Sequence, residues 1–438
     1  MRLFCVLSFI LVLLVSCSSS HSQSQSITAN IEKQYRPGGE KPPLPTLKSD
    51  SPLSDFITYA LLNNHSVESA FYDWKKAVEE ITVAQSLPDP KLTLSAEVIS
   101  SMEKLLVGFM QDIPGSGKRG LEAEAFSAEA QKKRYIFEEK LLETTFNVKQ
   151  IYYGIGLLNE KIRLFKEIVG LVDTQEQSIW ANLKAGLASN EDLVMVQSEQ
   201  AGLHNELVSL NDSFKPLITR WRQALGIGPN EVQPPLPNTA FTEHILPPET
   251  DLLKEALEHN IRLKTLSSEV KQAQAILELS YKNKNPDFGI GLGTDIKNDK
   301  LNWMPEISIT LPIWHQKIAA EIASAQAGQK QINAKLSAEE INVAVLLAEK
   351  SFAWRELQRQ SQLIREKLMP LAELKLNNIE AYYKTGKTGF TDWFNSRREL
   401  LELKIQLVVV NAQRETIFDD ISLMVLSNKP EEISKIIK

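Results

Sequence analysis

No proline occurs between Pro114 and Pro216, and from Lys118 to about Leu183 the chain is filled with Ala, Glu, Lys, Leu and Gln, broken only by Gly120, Gly154, Gly156 and Gly170. Such a run predicts one uninterrupted helix. At about 1.5 Å per residue it would be roughly 100 Å long, far beyond the width of an ordinary domain. Lys184-Ala185-Gly186 ends it, with glycine as the C-cap, and a second helical pattern starts near Asn190. The ending recurs: Lys384, Gly386 and Asp392 stand to Lys184, Gly186 and Asp192 at a constant offset of 200. The expectation is a duplicated long helical hairpin.

The first residues have a different character. Arg2 precedes an apolar run from Leu3 to Val15 and then Ser16-Cys17. That is a secretory signal, too short to span a bilayer as a helix. Leu14-Val15-Ser16-Cys17 resembles a bacterial lipobox, followed by a Ser-rich tether from Ser18 to Ser26, so Cys17 is expected to carry lipid on the mature protein. Loss of Cys5 with the signal leaves Cys17 as the one mature cysteine, which excludes an intramolecular disulfide or a cysteine-based metal site. Removing Arg2 takes the net charge from −6 to about −7 with no basic patch, which argues against nucleic acid as a partner. No later apolar run approaches the roughly 18 residues of a membrane helix.

Leu53 to Ser86 reads as one helix, stopped by Pro88 and Pro90. The period then becomes two: Leu92, Leu94, Ala96 and Val98 alternate with Thr93, Ser95 and Glu97. After a polar turn at Ser100–Lys104, a second strand carries Leu105, Val107 and Phe109 and closes at Ile113-Pro114. The long helix and a returning helix from Asn190 to Leu225 follow, then a Pro-rich linker ending near Pro248. The second half repeats this order. Phe288, Ile290 and Leu292 alternate with Gly289, Gly291 and Gly293; Ile307, Ile309 and Leu311 alternate with Glu306, Ser308 and Thr310. A long helix from Lys317 to Tyr383 and a returning one from Gly389 to about Leu426 complete it.

Pro370 falls where Gly170 lies in the first copy, so both long helices are expected to bend there. The returning helix shows heptad spacing at Trp393, Leu400, Leu403, Leu407, Val410, Ile417, Ile421 and Met424, with Ser396 and Arg414 as polar exceptions. Each copy's two shorter helices, stacked end to end, match its long one. Strands of about nine residues are near the minimum that crosses a bilayer, and in hydrocarbon a sheet has no free edge, so four strands need partners. Two readings stand on these residues alone: membrane-crossing hairpins, or soluble hairpins capping a coiled coil.

The duplicated plan resembles the outer-membrane efflux-channel family of the TolC type over nearly all of Leu53 to Leu426. The residues that carry the resemblance are Ala60-Leu61-x-x-Asn64, Pro88-Asp89-Pro90, Asp112-Ile113-Pro114 with Gly117-Lys118-Arg119, and the turns Lys184-x-Gly186…Asp192 and Tyr383-Lys384-x-Gly386…Asp392. The Pro-Asp-Pro and Ile-Pro…Gly-Lys-Arg segments are most similar to the metal-cation efflux branch. The resemblance implies a homotrimer: a helical periplasmic barrel joined to a twelve-stranded outer-membrane β-barrel, with four strands from each chain. It implies a periplasmic adaptor and an inner-membrane pump as partners, with outer membrane lipids around the barrel. One departure is that only about 23 residues separate Pro90 from Pro114, fewer than in many relatives, which makes the extracellular loops minimal.

The expected organisation is a signal peptide (1–16), a lipidated tether (17–52), a first helix–hairpin–helix repeat (53–226), a linker (227–250), a second repeat (251–426) and a tail (427–438). The expected periplasmic tip, gate and adaptor-docking residues are Lys184, Gly186, Asp192, Lys384, Gly386, Gly389 and Asp392. The glycines would allow a tight reversal, and the aspartates would cap the returning helices and ring the mouth with carboxylates. Pro114, Lys118, Arg119 and Pro312 are expected at the membrane edge, where the two basic residues mark it or begin the helix.

Catalysis has no support. Gly115-Ser116-Gly117-Lys118-Arg119 lacks the first glycine and the Ser/Thr of a phosphate loop. His21, His65, His204, His244, His259 and His315 show no ligand spacing. No cofactor and no resident metal are expected. A conduit for efflux is the reading taken; a type I protein-secretion channel and a non-pore periplasmic scaffold are the alternatives.

Overall fold

Asparagine sets the first break in the helical run. The stretch read as one helix is two in the computed structural model, α1 (Leu53–Asn63) and α2 (His65–Gln85). Asn64 between them is extended (φ −75°, ψ 118°), and its Oδ1 accepts the Ser66 N–H at 2.8 Å, capping α2. The structure describes residues 31–425 apart from 34, 100–101, 233, 240–243 and 298–299. The signal, Cys17 and the tail from 427 lie outside them.

The chain continues through β1 (Lys91–Ile99), β2 (Met102–Ile113) and α3 (Lys118–Lys184), whose 67 residues form one helix as the sequence predicts. Two helices return, α4 (Asn190–Asp212) and α5 (Phe214–Ala224), where one was expected. The second half repeats the order: α6 (Glu249–His259), α7 (Ile261–Lys282), β3 (Asp287–Lys297), β4 (Lys300–Thr310), α8 (His315–Leu363), α9 (Met369–Lys384) and α10 (Phe390–Val425). Asn260 breaks α6 from α7 in the same extended geometry (φ −56°, ψ 126°) as Asn64.

At the expected weak point the two long helices differ. Gly170 leaves α3 unbroken, whereas Ile364–Leu368, between α8 and α9, is a π-helical turn with Met369 N–H bonded to the Ile364 carbonyl. Pro370 lies immediately beyond. Its missing N–H and its ring oppose regular α-helical bonding one turn back, and the wider turn absorbs the conflict.

Two units divide the chain. The first takes the described residues up to Pro42, with Ser69–Glu139 and Ile261–Ile341. Its sheet has the order β1-β2-β3-β4, all antiparallel. An aromatic cluster fastens the N-terminal segment below it: the buried Tyr35 ring lies 5.1 Å from Phe71 and 5.5 Å from Phe137, and Lys75 bonds Glu32 at 2.7 Å. The second unit takes Pro43–Glu68, Lys140–Asn260 and the described residues from Asn342. Leu164, Ile168 and Val172 of α3 pack there with Leu193, Val196 and Leu203 of α4 and Phe394 and Leu401 of α10. Leu400 packs on Ala372 and Leu376 of α9. The polar exceptions in the α10 stripe are inside too, since Ser396 and Arg414 are both buried and Arg414 bonds Gln358 Oε1 at 2.9 Å.

Candidate functional site

The sheet has one apolar and one polar face because the ladder aligns the alternation of all four strands. Level partners run Leu92, Phe109, Leu292, Pro305 on one face and Thr93, Gly108, Gly293, Met304 on the other. Among the described residues the apolar face is uncovered: Leu92, Leu94, Phe109, Ile290, Trp303, Ile307 and Ile309 are all exposed, Ile307 at 77 %. Three strands are longer than expected, at 12, 11 and 11 residues. The reason is that the polar tips stay in the ladder: Ile99 pairs with Met102 and Lys297 with Lys300, leaving two-residue connections. Eleven residues reach ~37 Å along a strand and ~28 Å across a bilayer at a tilt of ~40°. On the polar face, a Cβ at Gly291 would come within 2.8 Å of the Phe109 carbonyl and 3.1 Å of the Met110 sulfur. The glycines of β3 are what let Met110 lie across it.

At the foot of the sheet, Asp287 at the start of β3 accepts from Gly115 N–H at 2.7 Å and Lys118 Nζ at 2.8 Å. A Cβ on Gly115 would meet the Pro286 carbonyl at 2.6 Å. Lys118, the first residue of α3, therefore turns inward and ties the two repeats' hairpins together, with its side chain 13 % exposed. Arg119 is exposed, and Pro114 and Pro312 are half-buried.

In the second unit both helix turns end in the same motif. Gly186 and Gly386 share φ 72°. Leu187 N–H bonds the Asn182 carbonyl at 2.8 Å and Gly186 N–H the Leu183 carbonyl at 3.1 Å; Lys387 to Tyr382 (2.9 Å) and Gly386 to Tyr383 (3.0 Å) repeat the pair. Space around both glycines is open, so the left-handed backbone, and no close neighbour, is what calls for glycine. Lys184 lies over the Trp180 ring at 5.7 Å, and Lys384 pairs with Glu380 at 2.7 Å.

The two aspartates are held differently. Ser189 and Asp192 form a reciprocal capping box: Ser189 Oγ accepts from Asp192 N–H at 3.1 Å, and Asp192 Oδ2 accepts from Ser189 N–H at 2.9 Å. The backbone and hydroxyl bonds from Ser189 hold the Asp192 carboxyl below the usual range. Asp392 instead accepts from Thr388 Oγ1 at 2.5 Å, because Gly389 stands where the first copy has its serine. Gly389, directly before α10, lacks a positive φ, and a Cβ there would meet open space, so neither backbone strain nor crowding calls for glycine at this position.

Two features of the second unit had escaped the sequence. Asn63 Nδ2 donates to the Leu225 carbonyl at 2.8 Å and to that of Gly226 at 3.0 Å, locking the end of α1 to the end of α5. His244, on the linker, stacks on Phe418 with centroids 4.0 Å apart and bonds Glu415 at 3.0 Å. Burial pushes the carboxyls of Glu415 and its neighbour Asp419 above the usual range, against the opposing pull of His244 and Lys149 respectively.

Among the described residues no helix is long and apolar enough to cross a membrane. The profile of the family described as Outer membrane efflux protein matches residues 252–424. The cobalt-zinc-cadmium resistance protein CzcC of Cupriavidus metallidurans is 20% identical over 366 residues, 82% of this chain and 85% of that one. The CmeC outer membrane channel of Campylobacter jejuni superposes with a TM-score of 0.72 at 13% identity, over 93% of this chain and 95% of that one. The MtrE outer membrane channel of Neisseria gonorrhoeae, solved in its open state, gives 0.69 at 15% identity, over 88% and 96%. The two-repeat order and the four-stranded sheet agree with these likenesses: residues 252–424, within the second repeat, match the Outer membrane efflux protein family, and the chain shares the fold of the solved outer membrane channels.

Proposed function

We propose that the protein is the outer membrane channel of a tripartite efflux system, a passive conduit that receives cargo from an inner-membrane pump through a periplasmic adaptor. The observation that carries this reading is the four-stranded sheet, apolar and uncovered on one face, polar on the other, with β1 and β4 as its outer strands. A sheet with open edges is not stable in hydrocarbon, so the strands of several copies must close. Three copies give the twelve-stranded barrel, and Pro114, Arg119 and Pro312 lie at its membrane edge. Metal cations are the proposed cargo, on the likeness to a cobalt-zinc-cadmium resistance protein and to the metal-cation branch. Protein secretion and a non-pore scaffold gain nothing from these likenesses.

The turns Lys184–Asp192 and Lys384–Asp392 are proposed as the periplasmic mouth, where three copies bring six aspartates together to attract cations and hold the mouth closed. Cys17 is proposed as the lipid anchor in the inner leaflet of the outer membrane. Native mass spectrometry of protein extracted from outer membranes in mild detergent tests the assembly. Three copies are expected; a monomer or dimer that still conducts ions contradicts it.

A further inference from the structure

The linker between the two repeats lies across helices of the second unit. Trp221 Nε1 donates to the Pro235 carbonyl at 3.3 Å, the Tyr152 hydroxyl to the Asn238 carbonyl at 3.1 Å, and Asn238 N–H to the Ser49 carbonyl at 2.8 Å. Thr239 then rests on α3 at Gly156, where a Cβ would stand 2.0 Å from the Thr239 hydroxyl and 2.7 Å from the Thr239 Cβ. Rotating the threonine side chain relieves only the first of these contacts, so glycine at 156 is the seat that lets the linker lie this close. Glycine in mid-helix is less stable than alanine by about 0.5–1 kcal/mol, and the close approach of Thr239 is the compensating contact.

Further along, His244 reaches α10. Its ring is nearly parallel to Phe418 (6°) with centroids 4.0 Å apart, and Nε2 lies 3.0 Å from Glu415 Oε2. Glu415 and Asp419, one helical turn apart on α10, are 1 % and 5 % exposed. Among the described residues, Glu415 Oε1 and Asp419 Oδ2 are buried without a hydrogen-bond partner. The charged groups around them are largely committed. Lys149 of α3 holds Asp419 Oδ1 at 2.9 Å, Lys350 of α8 holds Asp420, and Arg414 donates to Gln358 Oε1. Tyr153 of α3 faces both carboxylates and keeps its proton, since burial first and then those charges push its phenol up. Two ionised carboxylates a turn apart repel one another, and burial disfavours each charge. A proton on Glu415 removes both costs. The contact with His244 survives it, because either partner can carry the proton between Nε2 and Oε2.

We propose that the linker is a strap across α3 and α10 whose clasp, His244 on Glu415, is fastened by a proton. Thr239 on Gly156 is its fixed seat, and His244 on Glu415 is the end that lets go. Burial raises the Glu415 carboxyl above its usual range against the pull of His244, so a strap lifted into water binds that proton less readily than a closed one. The clasp therefore strengthens as pH falls through the raised value and weakens as pH rises above it. α3 ends at Lys184 and α10 begins at Phe390, in the second turn, so a closed strap limits how far these two helices of the proposed mouth can part. That limit rests on the channel reading above; the clasp itself does not.

Hydrogen–deuterium exchange of the full-length protein in detergent, expressed as protection relative to the intrinsic rate at each pH, reads the strap directly. In the wild type, protection of linker peptides that contain His244 is expected to fall about threefold or more between about pH 5 and about pH 8. Glu415→Gln, whose carboxamide mimics the protonated carboxyl, is expected to hold the higher protection across that range. Gly156→Ala is expected to speed exchange in linker peptides that contain Asn238 at every pH, because it lifts the seat and leaves the chemistry of the clasp alone. A pH dependence that survives in Glu415→Gln, or wild-type protection that does not change with pH, overturns the clasp. Unchanged exchange in Gly156→Ala overturns the seat. In planar bilayers, conductance is expected to rise over the same pH range in the wild type and to stay level in Glu415→Gln. Level conductance in a wild type whose linker exchange responds to pH overturns the limit on the helices and leaves the clasp. No current at any pH overturns the channel reading, with the exchange result unaffected.

Discussion

Gly226 and Gly186 have nearly the same backbone and different surroundings, so the same substitution at each separates strain from crowding. Both are left-handed (φ 69° and 72°) and both end a helix with the same bond pattern, Ile227 N–H reaching the Arg222 carbonyl at 2.9 Å. A Cβ at Gly186 meets nothing, whereas one at Gly226 would lie 2.7 Å from the Asn63 carbonyl oxygen and 2.8 Å from Asn64 Cα. Gly186→Ala is therefore expected to cost only the left-handed strain, about 1 kcal/mol. Gly226→Ala adds overlap with backbone that cannot rotate away, about 1–3 kcal/mol more. It also pushes on the carbonyls that Asn63 holds at 2.8 and 3.0 Å. Denaturant unfolding followed by circular dichroism in one detergent reads the difference as a two- to fourfold larger loss at Gly226. Equal losses would show that the α1–α5 contact yields freely, and would refute its role as a tight joint.

Asp192→Ala with Asp392→Ala is expected to raise conductance and weaken cation preference, read in planar bilayers; wild-type behaviour would make both residues simple caps. Glu415→Gln is expected to stabilise the protein at neutral pH and to flatten its pH dependence. The raised folded-state carboxyl takes up its proton at higher pH than in the unfolded chain, so wild-type stability gains as pH falls from neutral through that raised value. A loss of stability in Glu415→Gln at pH 7 would reverse that sign. Lys118→Met leaves Asp287 without the ammonium at 2.8 Å and is expected to loosen the hairpin foot, seen as faster amide exchange in β3. Mass spectrometry should find Cys17 acylated at the mature N-terminus; a free thiol or cleavage elsewhere removes the anchor.

The strands and the long helix were legible because they depend on local period. Alternation of Leu92, Leu94 with Thr93, Ser95 needs no knowledge of the neighbour, and neither does a helix of good formers without proline. The breaks at Asn64 and Asn260 were not. Asparagine is only moderately poor in helices, and its effect there comes from side-chain bonds, Asn64 to Ser66 and Asn260 Nδ2 to the Met424 carbonyl at 3.2 Å. Pro370 marked the right neighbourhood, but the π-helical turn lies one turn before it, where the lost hydrogen bond is felt. The repeat offset found both helix turns, yet it also equated Ser189 with Gly389, whose surroundings differ. Pairs such as His244–Glu415 and Lys118–Asp287 join residues about 170 apart in sequence, and no local pattern announces them.

If the uncovered apolar face of the sheet is a channel wall in a membrane, the protein conducts ions through a lipid bilayer. Purified protein reconstituted into a planar lipid bilayer tests it directly. Discrete single-channel conductance steps are expected, small while the proposed periplasmic mouth is closed and larger in the Asp192→Ala, Asp392→Ala double variant. A well-folded trimer that inserts into lipid and passes no current with either mouth would contradict it.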